Sequence, residues 1–179
     1  TDERVKIVKK YFVKKYKKPQ DFVDLKKEEW EKEIFSTGFY KQKTKSIKAC
    51  CDEVIKNHKG KVPADFDELV KLSGVGRKTA SVIAGNAFGI PAIAVDTHVK
   101  RLSNLLGFID SQNPDKIEIR IKELLPESYW INSSHWLATH GRKICIANRP
   151  KCNECVISDL CPRYINLSLI HIWRCRRAI

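Results

Sequence analysis

A lysine, an aspartate and four closely spaced cysteines are the residues of this chain whose types and settings suit chemistry. Lys78 follows a bend carrying two glycines in "LSGVGRKTA", residues 72–80. A protonated surface lysine attacks nothing. Desolvation, or positive potential from Arg77 and the start of a helix, favours the neutral amine, which attacks electrophilic carbon and forms a Schiff base. The competing role is plain phosphate contact. Asp96, in "AVDTHVKRLSNLLGF", stands where a helix begins, so its carboxylate reads as a helix cap. Cys145, Cys152, Cys155 and Cys161 are spaced C-x6-C-x2-C-x5-C. Structural zinc usually draws on two short Cys-x-x-Cys knuckles and this run has one. Four thiolates on a compact loop suit a [4Fe–4S] cluster better.

These groups need rigid supports. Glycines at 74 and 76 allow a tight bend between two helices, "DFDELVKL" and "RKTASVIAGNAFG". The peptide N–H groups of Gly74, Val75, Gly76 and Arg77, backed by the second helix's N-terminus, can cradle a phosphate. The bland alternative is a plain helical connection. Leu72, Val75, Ala80 and Val82 are expected to pack the two helices together. Elsewhere apolar residues recur at helical spacing. Val5, Val8, Phe12 and Tyr16 mark one helix; a second is expected to start under a capping Asp24, bury Trp30 and Ile34, and stop at Gly38. Ile47, Cys51, Val54 and Ile55 share a face of "KSIKACCDEVIKNHKG". Val99, Leu102 and Leu106 follow Asp96, and "NPDKIEIRIKELLP" and "SSHWLATHGRKIC" supply two more helices. "IPAIAV" reads as a buried linker, since a lone strand would have no partner. The class is all-α.

The formal charge is +13 and the pI about 9.5. That excess suits a polyanion, nucleic acid before membrane, although lysines on solvated helix faces contribute to it. No apolar run approaches the roughly 20 residues of a membrane span, and no secretory signal opens the chain. There is no methionine, even at position 1, which reads as a fragment. Seven cysteines, an odd number, argue against a closed disulfide set and for ligation in a reducing compartment. Cys50 and Cys51, adjacent on a helix, read as ordinary.

Taken in order, "LSGVGRKTA" resembles the helix-hairpin-helix of the endonuclease III family of base-excision DNA glycosylases. "AVDTHVKRLSNLLGF" resembles its catalytic-aspartate segment and "HGRKICIANRPKCNECVISDLCP" its cluster loop. The resemblance runs from Thr1 to about Arg163. It implies a helix-hairpin-helix DNA glycosylase fold with two helical lobes and a cleft between them. Residues 1–90 would form a truncated helical-barrel lobe with the hairpin near 68–86, residues 91–163 the cluster lobe, and 164–179 a tail. It implies that Lys78 is the nucleophile at C1′ of a damaged nucleotide and Asp96 the essential carboxylate. The adenine-specific branch typically has serine where Lys78 stands. Cys145, Cys152, Cys155 and Cys161 would hold the [4Fe–4S] cluster. Gly74, Val75, Gly76 and Arg77 would bind DNA, with Arg149 and Lys151 of the cluster loop meeting phosphates. His98 would lie near the cleft or be structural. Phe39 would wedge into the base stack or be a core aromatic.

The activity implied is a bifunctional N-glycosylase/AP lyase that removes oxidised pyrimidines and nicks the strand on the 3′ side by β-elimination. Its partner would be double-stranded DNA with a flipped damaged base, engaged by a monomer in a bacterial cytoplasm. A non-catalytic DNA-binding module and a monofunctional glycosylase are the alternatives. Two departures stand out. Family members carry further residues ahead of "TD", including a glutamine that fills the gap left by the flipped base. From about Leu167, "LSLIHIWRCRRAI" resembles nothing in the family. It reads as a translated sequencing-library adapter, with a basic DNA-binding tail as the competing idea. Discounting its three arginines leaves +10 (13 − 3).

Overall fold

The computed structural model describes residues 2–165, and among these every regular element is helical. The chain divides into two compact units, Thr1–Ala80 and Ser81–Ile179. The readings placed on the tail from about Leu167 lie outside the described residues.

In the first unit, aromatic side chains build the core. Helix α1 (Asp2–Lys15) brings Val8 and Phe12, with Tyr16 just beyond its end, against Trp30 and Ile34. The Phe12 ring lies 5.2 Å from both Tyr16 and Trp30, centroid to centroid. Trp30 is fully buried and its indole N–H donates to the Phe22 carbonyl at 2.8 Å, so burial leaves no donor unpaired. Val5 stays exposed.

Asp24 caps nothing. Helix α2 (Pro19–Asp24) ends on it, and α3 (Lys27–Ile34) starts behind Lys26. The reason is local: Pro19 is preorganised for a first helical turn, and Asp21 accepts from the N–H groups of Lys17 and Lys18 at 2.7 and 2.9 Å. Those donors hold the Asp21 carboxyl below its usual range. Helix α4 (Tyr40–His58) starts five residues before Lys45, where the expected segment began, and closes on left-handed Lys59 and Gly60. It buries Val54 and Thr44, whereas Ile47 is half exposed. Cys50 and Cys51 are free and half buried, and burial pushes the Cys51 thiol up to about 11. Helix α5 (Phe66–Lys71), within the expected segment "DFDELVKL", begins under Asp65, which accepts from the Glu68 N–H at 2.9 Å.

Helix α6 (Arg77–Phe88) buries Ala80, Ser81 and Ala84. Val82, expected inside, is 38% exposed; the buried stripe consists of small residues one position out of phase with it. The second unit has its core in Ile93, Val99, Ile117 and Ile121. These come from the "IPAIAV" linker, α7 (Thr97–Leu105) and α8 (Pro114–Leu124). The linker forms no strand and is anchored by the Ala94 N–H donating to Ser134 Oγ at 2.9 Å. Ser134 belongs to α9 (Trp130–Lys143), which starts three residues before the expected Ser133. Beyond α9 come short 3₁₀ turns at Cys152–Glu154 and Ser158–Leu160. No described helix is long and apolar enough to cross a membrane.

Candidate active site and metal centre

The bend after α5 is closed by the Val75 N–H donating to the Leu72 carbonyl at 3.0 Å. Gly74 has φ +77°, and a Cβ there would lie 2.9 Å from Ser46 Cβ on α4, so glycine is required twice over. The Ala80 N–H donates back to the Gly76 carbonyl, which makes Gly76 the last residue before α6. The first N–H groups of an α-helix lie beyond the reach of its own carbonyls, and in α6 they follow directly on the bend. The Val75 N–H is engaged in the turn. Arg77 places its guanidinium 5.3 Å from the centre of the Phe66 ring. Lys78, the second residue of α6, is exposed, while the opposite face of the helix is buried through Ala80 and Ala84.

Asp96 caps α7. Its Oδ1 accepts from the N–H groups of His98 and Val99 at 2.9 and 2.8 Å. Its Oδ2 lies 3.7 Å from Nη2 of Arg142 on α9, and the side chain is 15% exposed. One oxygen therefore serves the helix and the other faces Arg142. His98 is half buried against α9. A Cβ on Gly141 would come within 3.0 Å of His98 Cβ and 3.2 Å of Arg101 Nη2, so α7 and α9 meet closely at a glycine.

Arg101 continues from this contact to the cysteine loop. Its Nη2 donates to the carbonyls of Gly141 and Cys145 at 3.1 and 2.5 Å, and its Nη1 to Cys145 Sγ at 3.6 Å. His140 Nε2 lies 3.7 Å from Cys155 Sγ. Cys145, Cys152, Cys155 and Cys161 are free, half buried, and line one cavity of about 90 Å³ together with Leu102, Ile144 and Ile157. Among the described residues no three His, Cys, Asp or Glu side chains converge as a site for one ion. The four cysteines line one space, and four thiolates are a donor set suited to a polynuclear cluster in which each iron takes its own thiolate. Arg101 and His140 offer hydrogen bonds to sulfur of the kind that support ligating thiolates.

The remaining expected residues are more scattered. Arg149 and Lys151 are exposed on the loop, and Lys151 Nζ lies 3.4 Å from Glu154 Oε2, which offsets part of its charge. Phe39 is 88% exposed with φ +49°, which rules out a core role. Sequence reasoning missed Arg101, His140 and Arg142. His140 and Arg142 had a signal, the basic run just ahead of the first cysteine; Arg101 had none, because its partners Gly141 and Cys145 lie 40 and 44 residues further on.

Residues 1–127 match the HhH-GPD superfamily base excision DNA repair protein family. Endonuclease III of Rickettsia prowazekii (strain Madrid E) is 40% identical over 166 residues, covering 93% of this chain and 78% of that one. Endonuclease III of Bacillus subtilis (strain 168) is 43% identical over 162 residues, 90% of this chain and 74% of that one. The fold is similar to that of a trapped endonuclease III–DNA covalent intermediate, with a TM-score of 0.89 and 40% identity over 94% of this chain and 79% of that one. The chain belongs to the HhH-GPD superfamily of base excision DNA repair proteins, and within it to the endonuclease III family.

Proposed function

We propose that the chain is a base-excision DNA glycosylase and AP lyase, with Lys78 as nucleophile and Asp96 as its carboxylate partner. The observation that carries this reading is an exposed lysine in the first turn of α6, immediately after a bend that requires glycine. The amine adds to C1′ of a nucleotide turned out of the stack, since C1′ is shielded within the duplex. The C1′–N bond breaks and the base departs with a proton. Positive charge developing on the sugar is stabilised by the Asp96 carboxylate, whose Oδ2 is not used in the helix cap and faces Arg142; the same carboxylate relays protons to and from the amine. The C1′–O4′ bond then opens, with a proton delivered to O4′, to give the imine; this loses a C2′ proton, the C3′–O3′ bond breaks, and water releases the sugar from Lys78. Oxidised pyrimidines are the substrates the family resemblance suggests.

DNA lies on Gly74, Gly76 and Arg77, with the turn fixed by Val75. Phe39 enters the stack beside the flipped base, His98 lies beside the reacting nucleotide, and Arg149 and Lys151 meet phosphates. The protein acts as a monomer in a bacterial cytoplasm. Cys145, Cys152, Cys155 and Cys161 hold a [4Fe–4S] cluster, supported by the free thiols around one cavity and by Arg101 and His140 beside them. When bound, the cluster cross-links a loop whose own regular structure is two three-residue turns; glycosidic cleavage transfers no electrons.

The test is borohydride trapping on a duplex carrying an abasic site. The wild-type chain is expected to give a covalent adduct and Lys78→Ala none. Equal trapping by the two would remove Lys78 from the mechanism.

A further inference from the structure

The residue that leads into the hairpin bend is gripped by a carboxylate from another helix. Glu53, on α4, accepts the Ser73 backbone N–H on Oε2 at 2.7 Å and the Ser73 hydroxyl on Oε1 at 2.6 Å. Seven residues earlier on α4, and so on the same face two turns away, Ser46 lies against Gly74 and leaves no space for a Cβ. Two successive residues of the chain are therefore fixed at two points along one helix.

On charge alone this is an odd place for a carboxylate. A negative group hydrogen-bonded to the entrance of a phosphate cradle repels the ligand. An acceptor that takes both donors of one residue nevertheless fixes its peptide plane and its side chain together, and charge-assisted bonds do so more firmly than neutral ones. A cradle whose donors are already aimed does not have to be ordered when the phosphate arrives.

We propose that Glu53 is a positioning residue for DNA binding: by accepting both donors of Ser73 it fixes the entry to the Gly74–Gly76 bend, so that the first N–H groups of α6 are oriented before a backbone phosphate reaches them. This rests on the DNA-repair reading above. Glu53 touches no substrate and acts through Ser73.

The experiment measures Kd for a duplex containing a tetrahydrofuran abasic analogue, the borohydride-trapping rate on a natural abasic duplex at saturating protein, and the active fraction by titration. Glu53→Leu removes both acceptors and is expected to weaken Kd about tenfold while the saturated trapping rate stays within about twofold. Glu53→Gln keeps an oxygen for the N–H and offers its amide to the Ser73 hydroxyl oxygen, and is expected within about threefold of wild type. Charge alone predicts the opposite sign for Glu53→Leu, a tighter complex. Simple loss of folding lowers the active fraction and leaves the Kd of the folded molecules unchanged. A Glu53→Leu Kd at or below the wild-type value overturns the proposal, and so does a Glu53→Gln loss as large as that of Glu53→Leu. A wild-type chain that neither binds nor traps overturns the enzymatic reading, and this one with it.

Discussion

Lys78 and Asp96 both stand at the start of a helix, and their surroundings treat them in opposite ways. At the hairpin, Lys78 projects from the first turn of α6 as an exposed side chain. At the head of α7, Asp96 has one oxygen held by two N–H groups and the other facing Arg142, with little of the side chain exposed. The positive end of a helix attracts the carboxylate and repels the ammonium. A group that must form and then release a covalent bond gains from freedom of reach. A group that stabilises charge gains from being held in place beforehand.

Substitutions at the two positions should separate these demands, beginning with Lys78→Ala, which is expected to abolish the trapped adduct with little change in melting temperature. Asp96→Asn sharpens the contrast. An amide oxygen still accepts from the His98 and Val99 N–H groups, and asparagine is as good a cap as aspartate. Thermal melting should therefore shift little, while single-turnover base excision falls about 10²–10³-fold. Equal losses of stability and activity would mean that the carboxylate is a cap alone. Next in size is Gly141→Ala. Pressing a methyl group against His98 and Arg101 costs about 1–3 kcal/mol, against a helix-propensity gain near 1 kcal/mol. A melting temperature lower by roughly 2–4 °C is expected, with reduced excision because α7 carries Asp96.

Acid titration tests the hairpin side. The two bonds from Ser73 hold the Glu53 carboxyl below its usual range. A depressed folded-state value stabilises the fold above the unfolded value, about 4.3, and the contribution fades as pH falls through the depressed one. The stability advantage of wild type over Glu53→Gln should be complete near neutral pH and shrink on acidification; a gap that stays constant with pH would contradict it. The smallest effect is at Phe39. Its left-handed backbone, its exposure and the absence of a side-chain capping bond at the head of α4 all favour asparagine. Phe39→Asn is expected to raise stability by about 1 kcal/mol and to weaken binding to abasic duplex.

Local signals were legible in the sequence. Asp65 and Asp96 cap the helices that their positions announce, Gly74 makes the bend, and four cysteines by spacing alone marked the loop that lines one cavity. Signals that compete locally were misread: Asp24 looked like a cap, but Pro19 and Asp21 had already started an earlier helix. Val82 was judged by its type, and the buried face of α6 turned out to be the small residues beside it. Contacts across helices were hidden altogether. Nothing near Glu53 points to Ser73 twenty residues later, and nothing near Asp96 or Arg101 points to α9.

Phe39 has one more consequence. A laboratory selection for heat resistance alone should replace it early, because folding gains nothing from an aromatic ring at that backbone angle. A selection for survival of DNA damage should retain it. Sequencing position 39 in populations passed through each regime would weigh the two demands against each other without any purified enzyme.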